Sequence, residues 1–272
     1  MDEVMQNLIA IAERFVGARL GAQALPGFPG EIPAGLDRAY ICQDLAIERW
    51  PDRVIGWKIG RINPPLDQQL GADRLAGPIF ARALFPDNPL RPTAFPVIEG
   101  GFAAVEAEFV CQVAADAPAG KQDWSSAEAA ALVGEVYLGV EIAGSPLATI
   151  NELGPLVVAS DFGNNTGLVL GPRAAGWRDR PLGSWRCATS IDGRSVGEGC
   201  VLDLPGGPFE AMRFIAGLCA ARGRPLRAGD LISTGAVTGV HEIRLGEIAR
   251  LRFDGFGELS CEAVPAKPML GA

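Results

Sequence analysis

Apolar residues recur at helical spacing at the start of the chain and at strand spacing further on. Val4, Leu8, Ile11 and Phe15 fall at i, i+4, i+7 and i+11, which predicts an amphipathic helix over residues 2–20. A Gly- and Pro-rich loop follows at 27–35. A second helix is predicted over 36–50, with Tyr40, Ile41, Leu45 and Ala46 apolar and Pro51 as its stop. From there the texture changes. Short β-branched or apolar runs bounded by Gly, Pro or Asp predict strands at 54–59, 102–113, 136–142, 166–170, 231–234, 249–253 and 258–262. Two helices interrupt them, at 125–133 and 209–221, with Gly223 ending the second. There is no internal repeat, low-complexity tract or clear linker. The reading is an α+β protein: a helical N-terminal extension over 1–53 leading into one strand-rich catalytic domain over 54–272.

Composition refines this picture only in places. Hydrophobic residues at 48% and charged residues at 21% are ordinary for a globular chain and argue against disorder. Gly, at 35 of 272 residues, exceeds the usual ~7% and fits many tight turns between short strands. The net charge is −8 and no basic stripe interleaves with aromatics, so nucleic acid is not an expected partner. The acidic start lacks the features of a signal peptide, and no long apolar run predicts a membrane span. Six Cys without CxxC or paired spacing read as reduced, mostly buried thiols, so a cytoplasmic location is expected.

The chemistry sits on four unusual positions. In the strand at 102–113, Val105, Ala107, Phe109, Cys111 and Val113 form an unbroken apolar face. The other face holds Ala104, Glu106, Glu108, Val110 and Gln112. Two carboxylates on one face can share a cation, or can be two acids on a solvated surface. Glu141 is the one charge in an otherwise apolar run, Val136 to Ile142, and a buried carboxylate needs a cation or a proton. A paired Arg would serve; so would a metal ion. Three Glu oxygens suit Mg²⁺ or Mn²⁺. Lys58, flanked by Gly56 and Gly60 in another apolar strand, either snorkels to the surface or serves a site where a cation is useful.

The run Gly56–Gly60 (GWKIG), the EAE of Glu106–Glu108 and the GVEI of Gly139–Ile142 resemble the fumarylacetoacetate hydrolase superfamily. The likeness is nearest to its 2-oxopent-4-enoate (2-hydroxypentadienoate) hydratase and oxalocrotonate decarboxylase branch. Leu36–Tyr40 with Gln43, the QQLG of Gln68–Gly71 and the tail at 226–257 match as well, so it spans residues 36–263. The resemblance implies a mixed β-roll with flanking helices, metal ligands Glu106, Glu108 and Glu141, and a substrate-contacting Lys58. It suggests Asp161, Thr166, Thr234 and Thr238 as further pocket residues; Arg61, just after the GWKIG strand, is a substrate-binding candidate apart from the resemblance. For Thr234 and Thr238, turn residues bonding to local backbone is an equal reading. A homo-oligomer is the family habit.

The implied function is a divalent-metal-dependent hydratase of a small anionic 2-hydroxy-2,4-dienoate or 2-oxo acid in aromatic-compound degradation, acting through a metal-stabilised enolate. The alternatives are C–C hydrolysis of an acylpyruvate, such as maleylpyruvate or fumarylpyruvate, and decarboxylation of a 2-oxo acid. Two departures bear on this choice. The acid that such hydratases carry shortly after QQLG is missing or displaced in Asp73–Pro78, and Arg61 and Asn63 differ from the hydratase pattern. The hydrolases use a His–Glu pair to activate water, whereas His241 is the single His here. His241 and the adjacent Glu242 would point to opposite faces of a strand. His241 is therefore either a structural residue or a catalytic one acting alone.

Overall fold

The computed structural model describes residues 2–269. Helix α1 (Glu3–Leu20) begins where the side chain of Asp2 accepts a hydrogen bond from Met5 N, a cap contributing about 1 kcal/mol. It buries Leu8, Ile11 and Phe15 of the predicted stripe together with Ala12, Val16 and Ala18, while Val4, in its first turn, is exposed. Helix α2 (Leu36–Arg49) packs against it and stops before Pro51. Both share one hydrophobic cluster with the strands, joining Leu8, Phe15 and Cys42 to Trp57, Phe95 and Phe109.

The body is two mixed sheets, as the β-roll reading expects. Its strands are β1 (Val54–Arg61), β2 (Arg74–Phe80), β3 (Leu84–Pro86), β4 (Thr93–Val97), β5 (Phe102–Val113), β6 (Val133–Ser145) and β7 (Asn165–Arg173). They continue with β8 (Arg186–Ile191), β9 (Arg194–Cys200), β10 (Leu231–Ser233), β11 (His241–Glu242), β12 (Ile248–Phe253) and β13 (Gly257–Pro265). Helices α3 (Leu66–Leu70), α4 (Ser126–Ala131), α5 (Pro155–Ser160) and α6 (Gly207–Ala221) flank them. The larger sheet runs β2-β1-β10-β5-β6-β7-β3, with β11 also pairing β5. The smaller runs β4-β13-β12-β8-β9. They meet where Phe109 of β5 packs on Trp185, Phe253 and Phe256, with ring centroids 4.8, 5.4 and 5.6 Å apart.

Several elements lie outside the hydrophobic pattern. Strand β2 contains Gly77 and Pro78, residues depleted in strands, and is tolerated because it is the last strand of its sheet. The β8–β9 hairpin is too polar to register as an apolar run, yet Asp192-Gly193 between its strands is a strong turn signal. Asp192 and Gly193 both take positive φ, 47° and 76°, as such a turn requires. The short helices α3 and α5 are likewise additions to the predicted set. All six cysteines are buried and free. Among the described residues, no helix is long and apolar enough to cross a membrane.

Candidate metal centre and active site

Strand pairing assembles the site from four neighbouring strands. Glu106 and Glu108 lie on one face of β5, and Glu141 of β6 is the direct cross-strand partner of Glu106. On the other side of β5, Ser233 of β10 pairs with Val110, and Lys58 of β1 pairs with Ser233. Cross-strand partners share a face, so Lys58, Ser233 and all three carboxylates project from the same side of the sheet. A small apolar cluster, Ile79, Val110, Leu168 and Leu231, packs on that side, while the main core and the second sheet cover the other.

All four charged groups are buried: Glu108 and Glu141 at 0% exposure, Lys58 at 4% and Glu106 at 5%. Lys58 therefore does not snorkel. Its Nζ lies 3.2 Å from Glu141 Oε2, so the partner of Glu141 is a lysine and not an arginine. That contact is an ion pair without hydrogen-bond alignment, since Oε2 has no hydrogen-bond partner among the described residues. The other oxygen, Oε1, accepts from Asn165 Nδ2 at 3.0 Å. Glu108 Oε2 accepts from Ser233 Oγ at 2.6 Å and from Gly235 N at 2.7 Å, leaving Glu108 Oε1 without a partner.

One oxygen from each glutamate lies within 4.8 Å of the others. One lysine cannot neutralise three buried carboxylates. Burial first, and then Glu141, pushes the Glu106 carboxyl well above its ordinary value. The same two causes push Glu108 up to about 8, partly offset by Ser233 and Gly235. Burial alone would pull the Lys58 ammonium down, but Glu141, Glu106 and Glu108 outweigh it and hold it above its usual value. Orphaned oxygens, uncompensated negative charge and an all-oxygen donor set together fit a hard divalent cation.

Lys58 and Glu106 open onto a cavity of about 560 Å³. Arg61, Asn63, Asn151, Asn164 and Asp203 supply its remaining polar lining, and Ile62, Leu75, Val158, Leu204 and Val237 supply apolar walls. Gly60 also lines it, where a Cβ would come 3.7 Å from Lys58 Nζ. Gly56 has a different purpose: a Cβ there would lie 1.9 Å from the carbonyl oxygen of Leu231 on β10, so it makes room for a neighbouring strand.

Of the substrate-contacting residues expected, Lys58 and Arg61 line this cavity, whereas Asp161, Thr166, Thr234 and Thr238 do not. Asp161 is fully engaged elsewhere, accepting from Arg19 Nε at 2.7 Å and from Ser145 Oγ at 2.6 Å. The hydroxyl of Thr166 neighbours the same Arg19 at 3.4 Å. Thr234 donates to Phe109 O at 2.7 Å, and Thr238 shares a 2.9 Å hydrogen bond with Thr189, so both hydroxyls are engaged by residues distant in sequence. His241 pairs with Val105, on the face of β5 opposite the carboxylates. Its Nε2 contacts Thr238 Oγ1 at 3.2 Å, it packs against Gly197 of the second sheet, and burial lowers its pKa. The site residues that pattern reasoning missed are Ser233, Asn165, Asn151, Asn164 and Asp203. Ser233 was findable, because it stands in the apolar β10 as Lys58 does in β1. Asn165 is the first residue of β7, and Asn151, Asn164 and Asp203 lie in short helices or turns, where no periodicity marks a facing side.

The fumarylacetoacetate hydrolase C-terminal family model matches residues 99–264, more than half of the chain. The chain belongs to this family. It is 26% identical over 209 residues to a 2-keto-4-pentenoate hydratase of Burkholderia vietnamiensis, spanning 76% of this chain and 77% of the relative. It is 29% identical over 231 residues to a hydratase of the same name from Paraburkholderia xenovorans, spanning 84% and 83%. Among solved structures, 4-oxalocrotonate decarboxylase from Pseudomonas putida G7, complexed with magnesium and adipate, superposes with a TM-score of 0.81. The alignment covers 96% of this chain and 98% of that one at 21% identity, a likeness of fold. The hydrolase-family β-roll with N-terminal helices is thus the architecture of this chain.

Proposed function

We propose that this chain is a divalent-metal-dependent hydratase of a small 2-hydroxy-2,4-dienoate, with Glu106, Glu108 and Glu141 holding Mg²⁺ or Mn²⁺. The observation that carries it is the trio of buried carboxylates facing one buried lysine at the end of a 560 Å³ cavity. The two relatives named as 2-keto-4-pentenoate hydratases support the substrate class. When bound, the ion supplies Lewis acidity to the carboxylate and 2-oxygen of a 2-oxo acid.

The chain's own residues do the rest. Ser233 and Gly235 N fix Glu108, and Asn165 fixes Glu141, so both carboxylates are oriented before an ion arrives. Lys58, with Nζ 3.2 Å from Glu141 and lining the cavity, is placed to carry a proton beside the substrate and to deliver it to carbon as the enolate collapses. The apolar walls exclude bulk water from the reacting carbons.

Hydrolysis of an acylpyruvate would need a group to activate water, and His241 lies behind the sheet from the carboxylates; this supports hydration over hydrolysis. Products decide the matter. With Mg²⁺ and 2-hydroxypenta-2,4-dienoate, the expected result is loss of the dienoate absorbance and formation of 4-hydroxy-2-oxopentanoate, without pyruvate or CO₂. Pyruvate release from maleylpyruvate or fumarylpyruvate, with inactivity on the dienoate, overturns the proposal. Release of CO₂ from a 2-oxo acid with a second carboxylate would favour the decarboxylase instead.

A further inference from the structure

The segment between α5 and β7 holds three consecutive residues in the left-handed region: Phe162, Gly163 and Asn164, with φ of 51°, 65° and 61°. For Phe this conformation is strained and persists only where its surroundings enforce it. They do so here. A Cβ on Gly77 would lie 1.9 Å from the Phe162 carbonyl oxygen, and one on Gly163 would lie 2.8 Å from Gly77 Cα. The Phe162 ring is wedged against Trp50 and Phe80, at 5.6 and 5.0 Å between centroids. Gly77 is itself the cross-strand partner of Lys58. The strained segment is therefore clamped directly onto the strand pair that carries the lysine.

This clamp fixes the next two side chains. Asn165 turns to Glu141, as described above. Asn164 turns to the cavity, where it is 3% exposed. Its Nδ2 makes one long contact, 3.3 Å, to Asn151 Oδ1, which lines the same cavity. Its Oδ1 has no partner at all among the described residues. A buried acceptor left unpaired is costly, and a strained backbone that delivers one to a cavity points to a ligand that supplies the donor.

We propose that Asn164, braced by Asn151, accepts a hydrogen bond from the hydroxyl on C4 of the hydrated product, and from the water that becomes it. This rests on the hydratase reading and deepens it. After the dienol has lost its enol proton and gained one at C5, water adds across C3=C4. Its hydroxyl goes to C4 and a proton goes to C3, with no change of oxidation state overall. An amide cannot take a proton from that water, so Asn164 is a positioning residue: it sets which carbon the oxygen faces and which substrates carry the right hydroxyl. The ligand class is a 4-hydroxy-2-oxo acid.

The test is calorimetric binding of 4-hydroxy-2-oxopentanoate and of 2-oxopentanoate, which lacks the hydroxyl, to the full-length protein in saturating Mg²⁺. The wild type should prefer the hydroxylated ligand by about 3- to 10-fold, the contribution of one hydrogen bond. Asn164→Gly, which suits the left-handed backbone, and Asn164→Ala should both erase that preference. Neither should change affinity for 2-oxopentanoate or for Mg²⁺. Equal binding of the two ligands by the wild type, or a preference that survives Asn164→Gly, overturns the role of Asn164 and leaves the metal-dependent reading standing. Failure of the Mg²⁺-loaded wild type to bind either acid overturns both.

Discussion

Glu106 and Glu141 stand directly opposite each other across the β5–β6 ladder, two buried carboxylates on one face with a third, Glu108, beside them. Like charges in that position are destabilising unless something neutralises them. In metal-free protein, Glu106 and Glu108 have pKa values raised from 4.5, Glu108 to about 8. Between those values the folded state binds more protons than the unfolded chain, so stability should fall as pH rises from about 4.5 to about 8. Thermal unfolding of the EDTA-treated protein at pH 5 and pH 8 should show the lower Tm at pH 8. Mg²⁺ at about 100 times its Kd should raise the Tm at pH 8 by roughly 5–10 °C. Glu106→Gln should raise the metal-free Tm and abolish that response. A Tm insensitive to both pH and Mg²⁺ would remove the case for a metal centre.

Lys58 offers a separate handle. With Mg²⁺ bound, Lys58→Met should keep the fold and the ion while kcat falls by roughly 10²–10⁴ and KM changes far less. Unchanged turnover would reduce Lys58 to a counter-charge for Glu141.

Arg19 of α1 reaches across to Asp161, with side chains 6% and 0% exposed, and donates to the carbonyls of Gly144 and Asn165 at 2.8 and 3.0 Å. Arg19→Met strands a buried carboxylate and these two carbonyls. Urea denaturation should register a loss of about 3–5 kcal/mol. A midpoint within error of wild type would mean that Asp161 finds another partner.

Two glycine substitutions should move stability in opposite directions. Gly77→Ala forces its methyl into the Phe162 carbonyl and should cost at least about 1–3 kcal/mol. Gly17→Ala lies in the interior of α1 with nothing within 4 Å of the new Cβ, and should stabilise by about 0.5–1 kcal/mol. Differential denaturation of the pair against wild type checks both signs.

How much of this was legible in the sequence varies with the kind of signal. The extent of β5, its apolar face and the carboxylates opposite were readable because a strand repeats every two residues, and a charge in an apolar run has to be explained. The isolation of Lys58 and Glu141 led to the same site for that reason. Asp161, Thr166, Thr234 and Thr238 resemble pocket residues, but their hydroxyls and carboxylate are consumed by Arg19, Ser145, Phe109 O and Thr189, all distant in sequence. Which polar side chain faces a cavity and which satisfies a buried carbonyl is decided by such long-range partners. Asn164 was hidden for the converse reason: its direction is set by strain between Phe162 and Gly77, which no local pattern displays.

The four outermost strands of the two sheets also share a feature. Pro78 sits in β2, Pro86 in β3 and Pro96 in β4, each lacking an amide donor, while β9 carries Arg194, Glu198 and two glycines. Prolines and charges at such margins deny a foreign strand the regular ladder it needs. Copies of this chain are thereby steered away from zipping together backbone to backbone. Such margins favour contact through side chains over a ladder continued from one copy to the next.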